Sequence, residues 1–154
     1  MSAFLFDSSA LVKRYLDEPG SDWVRRILHP TLGHDIIVAQ TTPIELVAAI
    51  SRRQRGGALT AEDAETAIAD LVYDFSVQYD VLALSHMIVQ RAMELCRQHG
   101  LRGYDGVQLA TAAFHSIPNV FGQSEPLVFV SSDKELNQAA ITEGLTVFDP
   151  SQVP

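Results

Sequence analysis

Four acids stand where apolar runs end or helices begin: Asp7 after Phe4-Leu5-Phe6, Glu45 after Thr42-Pro43-Ile44, Asp105 at the head of an apolar helix, and Asp133 just past Leu127-Val128-Phe129-Val130. In an open α/β sheet the ligand crevice lies beyond the carboxyl ends of the strands, so all four can face one end of the sheet. Two carboxylates ~4 Å apart repel by about 4 kcal/mol at an effective dielectric of 20, so a converged set needs protons or cations. Oxygen-only donors select hard ions, which makes Mg²⁺ or Mn²⁺ the expected cofactor. The chemistry that follows is metal-assisted attack of water on a phosphate ester.

Each acid also has an ordinary explanation, because acids in a first helical turn are stabilised by unpaired N–H groups and the helix dipole. Glu45 is spaced from Thr42 as in a capping box, with Pro43 at the first helical position. Asp105 and Asp133 fit as N-caps. Asp7 is different, since Ser8 or Ser9 can cap the following helix without it. Asp7 therefore carries most of the inference.

The elements that must position these acids alternate. Short apolar strands are expected at residues 4–6, 36–39, 81–84, 127–130 and 145–148, separated by segments of helical period. One such helix carries the stripe Ala64, Ala67, Ile68, Leu71, Val72 and Phe75. Strands that are apolar throughout, rather than alternating, belong to a sheet covered on both faces. The expected fold is a three-layer α/β/α sandwich around a mainly parallel sheet, formed by residues 1–154 as a single domain. Residues 116–126, with two prolines and a glycine, read as a loop.

Bulk composition narrows the function. The chain has 154 residues, 47% of them hydrophobic, enough for one core without staples. Its single cysteine, Cys96, allows no intrachain disulfide and reads as core filler beside Val89, Ala92 and Met93. No signal peptide or membrane span is expected, which points to a soluble cytoplasmic protein. A formal charge of −8 argues against broad electrostatic attraction to nucleic acid, unless bound cations reverse the sign of the acidic site. The five histidines show no zinc spacing, and P-loop, dinucleotide and Gly-x-Ser-x-Gly motifs are absent from the sequence.

The ordered set Asp7-Ser8-Ser9-Ala10-Leu11-Val12-Lys13, Glu45 at a helix start, Tyr104-Asp105-Gly106-Val107-Gln108-Leu109-Ala110-Thr111-Ala112 and Val130-Ser131-Ser132-Asp133 resembles the PIN-domain ribonucleases, in particular VapC-like toxins of toxin-antitoxin pairs. The resemblance implies that Asp7, Glu45, Asp105 and Asp133 hold Mg²⁺ or Mn²⁺, with Ser9 and Ser131 as supporting hydroxyls. It implies hydrolysis of RNA by metal-bound water, leaving a 5′-phosphate and a 3′-hydroxyl. A VapB-like antitoxin and a homodimer are the implied partners.

Lys13, Arg14 and the cluster Arg52-Arg53-Arg55 are candidates for contact with RNA phosphates or an acidic antitoxin stretch. Tyr15 and Trp23 are better explained by ordinary packing. Gly106, where the family more often has a small apolar residue, is expected to weaken its helix start slightly. The alternative to a nuclease is a non-catalytic PIN-like binding or scaffold module whose acids are caps and solvated surface.

Overall fold

A computed structural model describes residues 2–117 and 126–154. Along the chain run β1 (Ala3–Phe6), α1 (Ser8–Tyr15), α2 (Ser21–Ile27), β2 (Asp35–Ala39), α3 (Thr42–Arg55), α4 (Ala61–Val77), β3 (Asp80–Leu82), α5 (His86–His99), α6 (Gly103–His115), β4 (Leu127–Val130), α7 (Lys134–Thr142) and β5 (Thr146–Phe148). Short 3-10 turns follow α2 and β5. The loop expected at residues 116–126 lies mostly outside the described residues.

The five strands form one sheet in the order β3-β2-β1-β4-β5, and every pairing is parallel. The first strand is thus central. Leu5 sits level with Ile37 on one side and Phe129 on the other. From β1 the chain builds outward through β2 and β3, then returns to add β4 and β5 on the opposite side. This reversal puts the crevice of an α/β sheet at the carboxyl ends of β1 and β4.

Successive side chains on a strand point to opposite faces, and here both faces are covered. Phe6, Val38 and Val130 pack with Leu11, Val24, Leu46, Ile50 and Leu71 from α1 to α4. Leu5, Ile37 and Phe129 pack with Ile88, Leu95, Leu109 and Leu136 from α5 to α7. The three-layer α/β/α sandwich is therefore as expected, with a sheet that is wholly parallel among the described residues. No helix among them is long and apolar enough to cross a membrane.

Two packing expectations need correction. Val72 is not in the core stripe of α4 but 61% exposed, whereas Asp74 is buried and accepts a hydrogen bond from the Tyr15 hydroxyl at 2.8 Å. The inward face of α4 has a polar end because Tyr15 and Tyr79 both reach Asp74. Cys96 is partly buried as filler, but Val89 and Met93 are exposed and do not share its surroundings. Its sulfur lies against Gly106, where a Cβ would overlap Cys96 Sγ and lie 3.1 Å from the Ala92 carbonyl oxygen. Gly106 thus permits the close approach of α5 and α6, which outweighs its weak helix propensity.

Candidate active site

Asp7 is the N-cap of α1, a position the sequence had left to Ser8 or Ser9. Its Oδ1 accepts from the Ala10 N–H at 3.0 Å, which satisfies one of the free donors of the helix start. The Ser9 hydroxyl donates to Oδ1 at 2.8 Å, and the Ser131 hydroxyl donates to Oδ2 at 3.0 Å. The serines hold the carboxylate instead of replacing it. Asp7 is only 2% exposed, and burial pushes its carboxyl up to about 7 against these hydrogen bonds, with the Glu45 charge adding to the rise.

Both serines also grip the turn between β4 and α7. Ser9 Oγ accepts from the Ser132 N–H at 2.9 Å, and Ser131 Oγ accepts from the Asp133 N–H at 3.1 Å. Each hydroxyl therefore directs its proton to Asp7 and its lone pairs to the neighbouring backbone. Asp133 caps α7 as expected, with Oδ1 accepting from the Leu136 N–H at 3.0 Å. Its Oδ2 has no hydrogen-bond partner among the described residues.

The capping box expected for Glu45 does not form. Thr41, not Thr42, is the N-cap of α3, and it makes no side-chain capping bond. Thr42 lies one residue inside the helix, fully buried, so its hydroxyl cannot play that part. Glu45 Oε1 instead accepts from Gln108 Nε2 at 3.0 Å.

Asp105 is likewise not an N-cap. The extended residue before α6 is Arg102, which places Asp105 on the third helical residue. Burial pushes its carboxyl up to about 6, helped by the charges of Asp133 and Glu45 and opposed by Arg102. These couplings link the four acids in a chain: Asp7 feels Glu45, while Asp105 feels Glu45 and Asp133.

Glu45, Asp105 and Asp133 line one pocket of about 440 Å³, with Ser9 on its wall and Asp7 buried behind it. No three acids among the described residues come together closely enough to form a ready-made metal cage. The donor chemistry nevertheless fits a hard divalent cation, which commonly binds one or two carboxylates and retains waters. Asp7 and Asp105, both raised by burial and like charge, are the groups a cation would return to the ionised form.

Arg52, Arg102 and Tyr104 also line this pocket, and Arg102, Tyr104 and Gln108 went unassigned in the sequence. The signal was there in the helical spacing, because Arg102 and Gln108 lie three residues either side of Asp105 and share its face. Of the other cationic candidates, Arg55 is exposed and does not line the pocket, and the remaining three are engaged elsewhere. Lys13 is buried and bonded to Glu18 at 3.0 Å, Arg53 also pairs with Glu18, and Arg14 lies 3.7 Å from Asp74. Tyr15 and Trp23 are partly buried and pack against the core: Tyr15 bonds Asp74 and Tyr79, and the Trp23 ring stacks on Phe148 at 4.2 Å.

Several solved structures share this architecture at low identity. FitAcB from Neisseria gonorrhoeae is 17% identical over 97% of this chain and 99% of that one, with a TM-score of 0.67. A toxin-antitoxin complex from Klebsiella pneumoniae is 17% identical over 97% and 98%, with a TM-score of 0.64. VapBC2 from Rickettsia felis, bound to a DNA fragment from its promoter, is 14% identical over 96% and 98%, with a TM-score of 0.63. No curated protein matches the sequence. The profile of the PIN domain matches residues 4–141, which hold four of the five strands and the seven helices but for the first residue of β1 and the last of α7, and the chain therefore belongs to the PIN domain family.

Proposed function

We propose that this protein is a VapC-like toxin: a single-domain, cytoplasmic, Mg²⁺- or Mn²⁺-dependent endoribonuclease held in check by a VapB-like antitoxin. The observation that carries the reading is the convergence of Glu45, Asp105 and Asp133 on one pocket, with Asp7 held beside it by the hydroxyls of Ser9 and Ser131. Similar structures described as a toxin-antitoxin complex and as VapBC bound to DNA, in one case to a promoter fragment, support the partner assignment. A homodimer follows from the family resemblance.

In the hydrolysis, a water oxygen adds to phosphorus, the P–O3′ bond breaks, and a proton reaches the departing 3′-oxygen. A bound divalent cation supplies charge neutralisation and a polarised water for this step. Asp7, Glu45, Asp105 and Asp133 would hold it, with Ser9 and Ser131 fixing the Asp7 carboxylate. Arg52 and Arg102 stand on the pocket wall, and neither forms an ion pair among the described residues, so both can meet substrate phosphates. Tyr104, 46% exposed beside them, offers a face on which an unpaired base can stack.

The test is cleavage of a single-stranded RNA by the purified protein with Mn²⁺, with EDTA, and with the Asp7→Asn variant. Cutting only by the parent with metal is expected. Equal cutting by the Asp7→Asn protein sinks the assignment, and metal-independent cutting removes the cation from it. No cutting under any condition favours the scaffold module.

A further inference from the structure

Position 108 faces inward on α6, between the site and the core, where the pattern of Leu109, Ala110 and Ala112 would suit an apolar side chain. It carries a glutamine that is 1% exposed. Burying an amide is costly without hydrogen bonds, so this one needs a reason. Its Nε2 has three acceptors within reach: Thr42 Oγ1 at 2.9 Å, Glu45 Oε1 at 3.0 Å and Ser8 Oγ at 3.2 Å. An amide nitrogen has two hydrogens, and a bond to an ionised carboxylate is the strongest of the three.

Orientation follows from charge. Turned over, the amide would set Oε1 against the Glu45 carboxylate oxygen, acceptor against acceptor. As it stands, Oε1 has no partner among the described residues, so the side chain leaves one polar atom unsatisfied while keeping its donor on Glu45. The same nitrogen touches α1 next to Asp7 and the first turn of α3, while α6 itself carries Asp105 one turn earlier.

We infer that Gln108 is a positioning residue for Glu45: its buried amide fixes the carboxylate in the pocket so that Glu45 can join Asp105 and Asp133 in holding a divalent cation. The inference rests on the cation-binding reading above. Groups that orient a metal-binding carboxylate commonly matter about 10- to 100-fold in metal affinity. Gln108→Met, of similar volume and without a donor, is accordingly expected to weaken Mn²⁺ binding at least tenfold.

Isothermal titration of the full chain with Mn²⁺, on the parent, Gln108→Met, Glu45→Ala and the double variant, provides the test. If Gln108 acts through Glu45, adding Gln108→Met to Glu45→Ala costs no further affinity. A merely structural role gives losses that multiply, which overturns the inference. Parent-like binding by Gln108→Met overturns it too and leaves the cation site standing, whereas a parent that takes up no Mn²⁺ ends both. Should Gln108→Met not fold, Gln108→Asn is the substitute, since its amide is one methylene too short for Glu45 and predicts the same tenfold loss.

Discussion

The Ser131 hydroxyl donates to Asp7 Oδ2 at 3.0 Å across a separation of 124 positions, joining the carboxyl ends of the two neighbouring strands β1 and β4. Because the same oxygen also accepts from the Asp133 N–H, one small side chain sets the spacing between two acids. Ser131→Ala leaves a buried carboxylate oxygen and a backbone N–H short of a partner. A loss of roughly 1–3 kcal/mol in stability is expected from chemical denaturation. An unchanged midpoint would show that the contact contributes nothing net.

Asp7→Asn tests the chemistry itself. RNA cleavage with Mn²⁺ should fall by at least about a hundredfold, the scale on which loss of one preorganised electrostatic group acts. Growth arrest on expression should vanish with it. The fold should survive, since an amide oxygen can still accept from the Ala10 N–H.

The pH dependence of stability has a definite sign. Burial raises Asp7 from 3.8 to about 7 and Asp105 from 3.8 to about 6, so between those values the folded chain binds more protons than the unfolded one. Stability is then full below pH 4 and declines as pH rises through the folded values. The Asp7 part alone is on the order of 4 kcal/mol. Melting in EDTA from pH 4.5 to 8 should show the decline, Asp7→Asn should remove most of it, and saturating Mn²⁺ should oppose it. A metal-free protein most stable at pH 8 would contradict this account.

Arg52 and Arg102 can be separated from the acids by salt. On an Asp7→Asn background, expected to bind without cutting, each of Arg52→Gln and Arg102→Gln should weaken binding to a single-stranded oligonucleotide. Each should also flatten the slope of log affinity against log salt by about 0.7, as for one lost phosphate contact. An unaltered slope by fluorescence anisotropy would place the substrate elsewhere.

Gly106→Ala should destabilise by roughly 1–3 kcal/mol, although alanine is the better helix former, because its methyl overlaps Cys96 Sγ. Adding Cys96→Ala should recover most of that loss in a thermal melt. Failure of the second change to rescue would put the strain on the Ala92 carbonyl instead.

How much of this was legible in sequence depends on the range of the interaction. Apolar runs and helical period are local signals, so β4 and the covered sheet could be read directly, as could the cap at Asp133. The caps of α1, α3 and α6 were misplaced by one to three residues, because a capping side chain is chosen by tertiary competition. Ser9 faces Asp7, and Thr42 accepts from an amide 66 positions away. Those shifts remove the capping explanation from Glu45 and Asp105 and give one to Asp7, the reverse of what local pattern suggests. The spacing of Gln108 from Asp105 is legible in sequence, but its contacts with Ser8, Thr42 and Glu45 depend on how α1 and α3 pack against α6.

Placing the first strand at the centre of the sheet has a consequence for timing during synthesis. While the chain is being translated, β1 can pair with β2 early, but its other edge stays open until β4 emerges, and Ser131 and Asp133 emerge only after that. Domains form as their segments leave the ribosome, amino end first. A nascent chain therefore cannot assemble the acid pocket until β4 and the turn through Asp133 have been made. The activity proposed for the pocket can arise only after that point in synthesis.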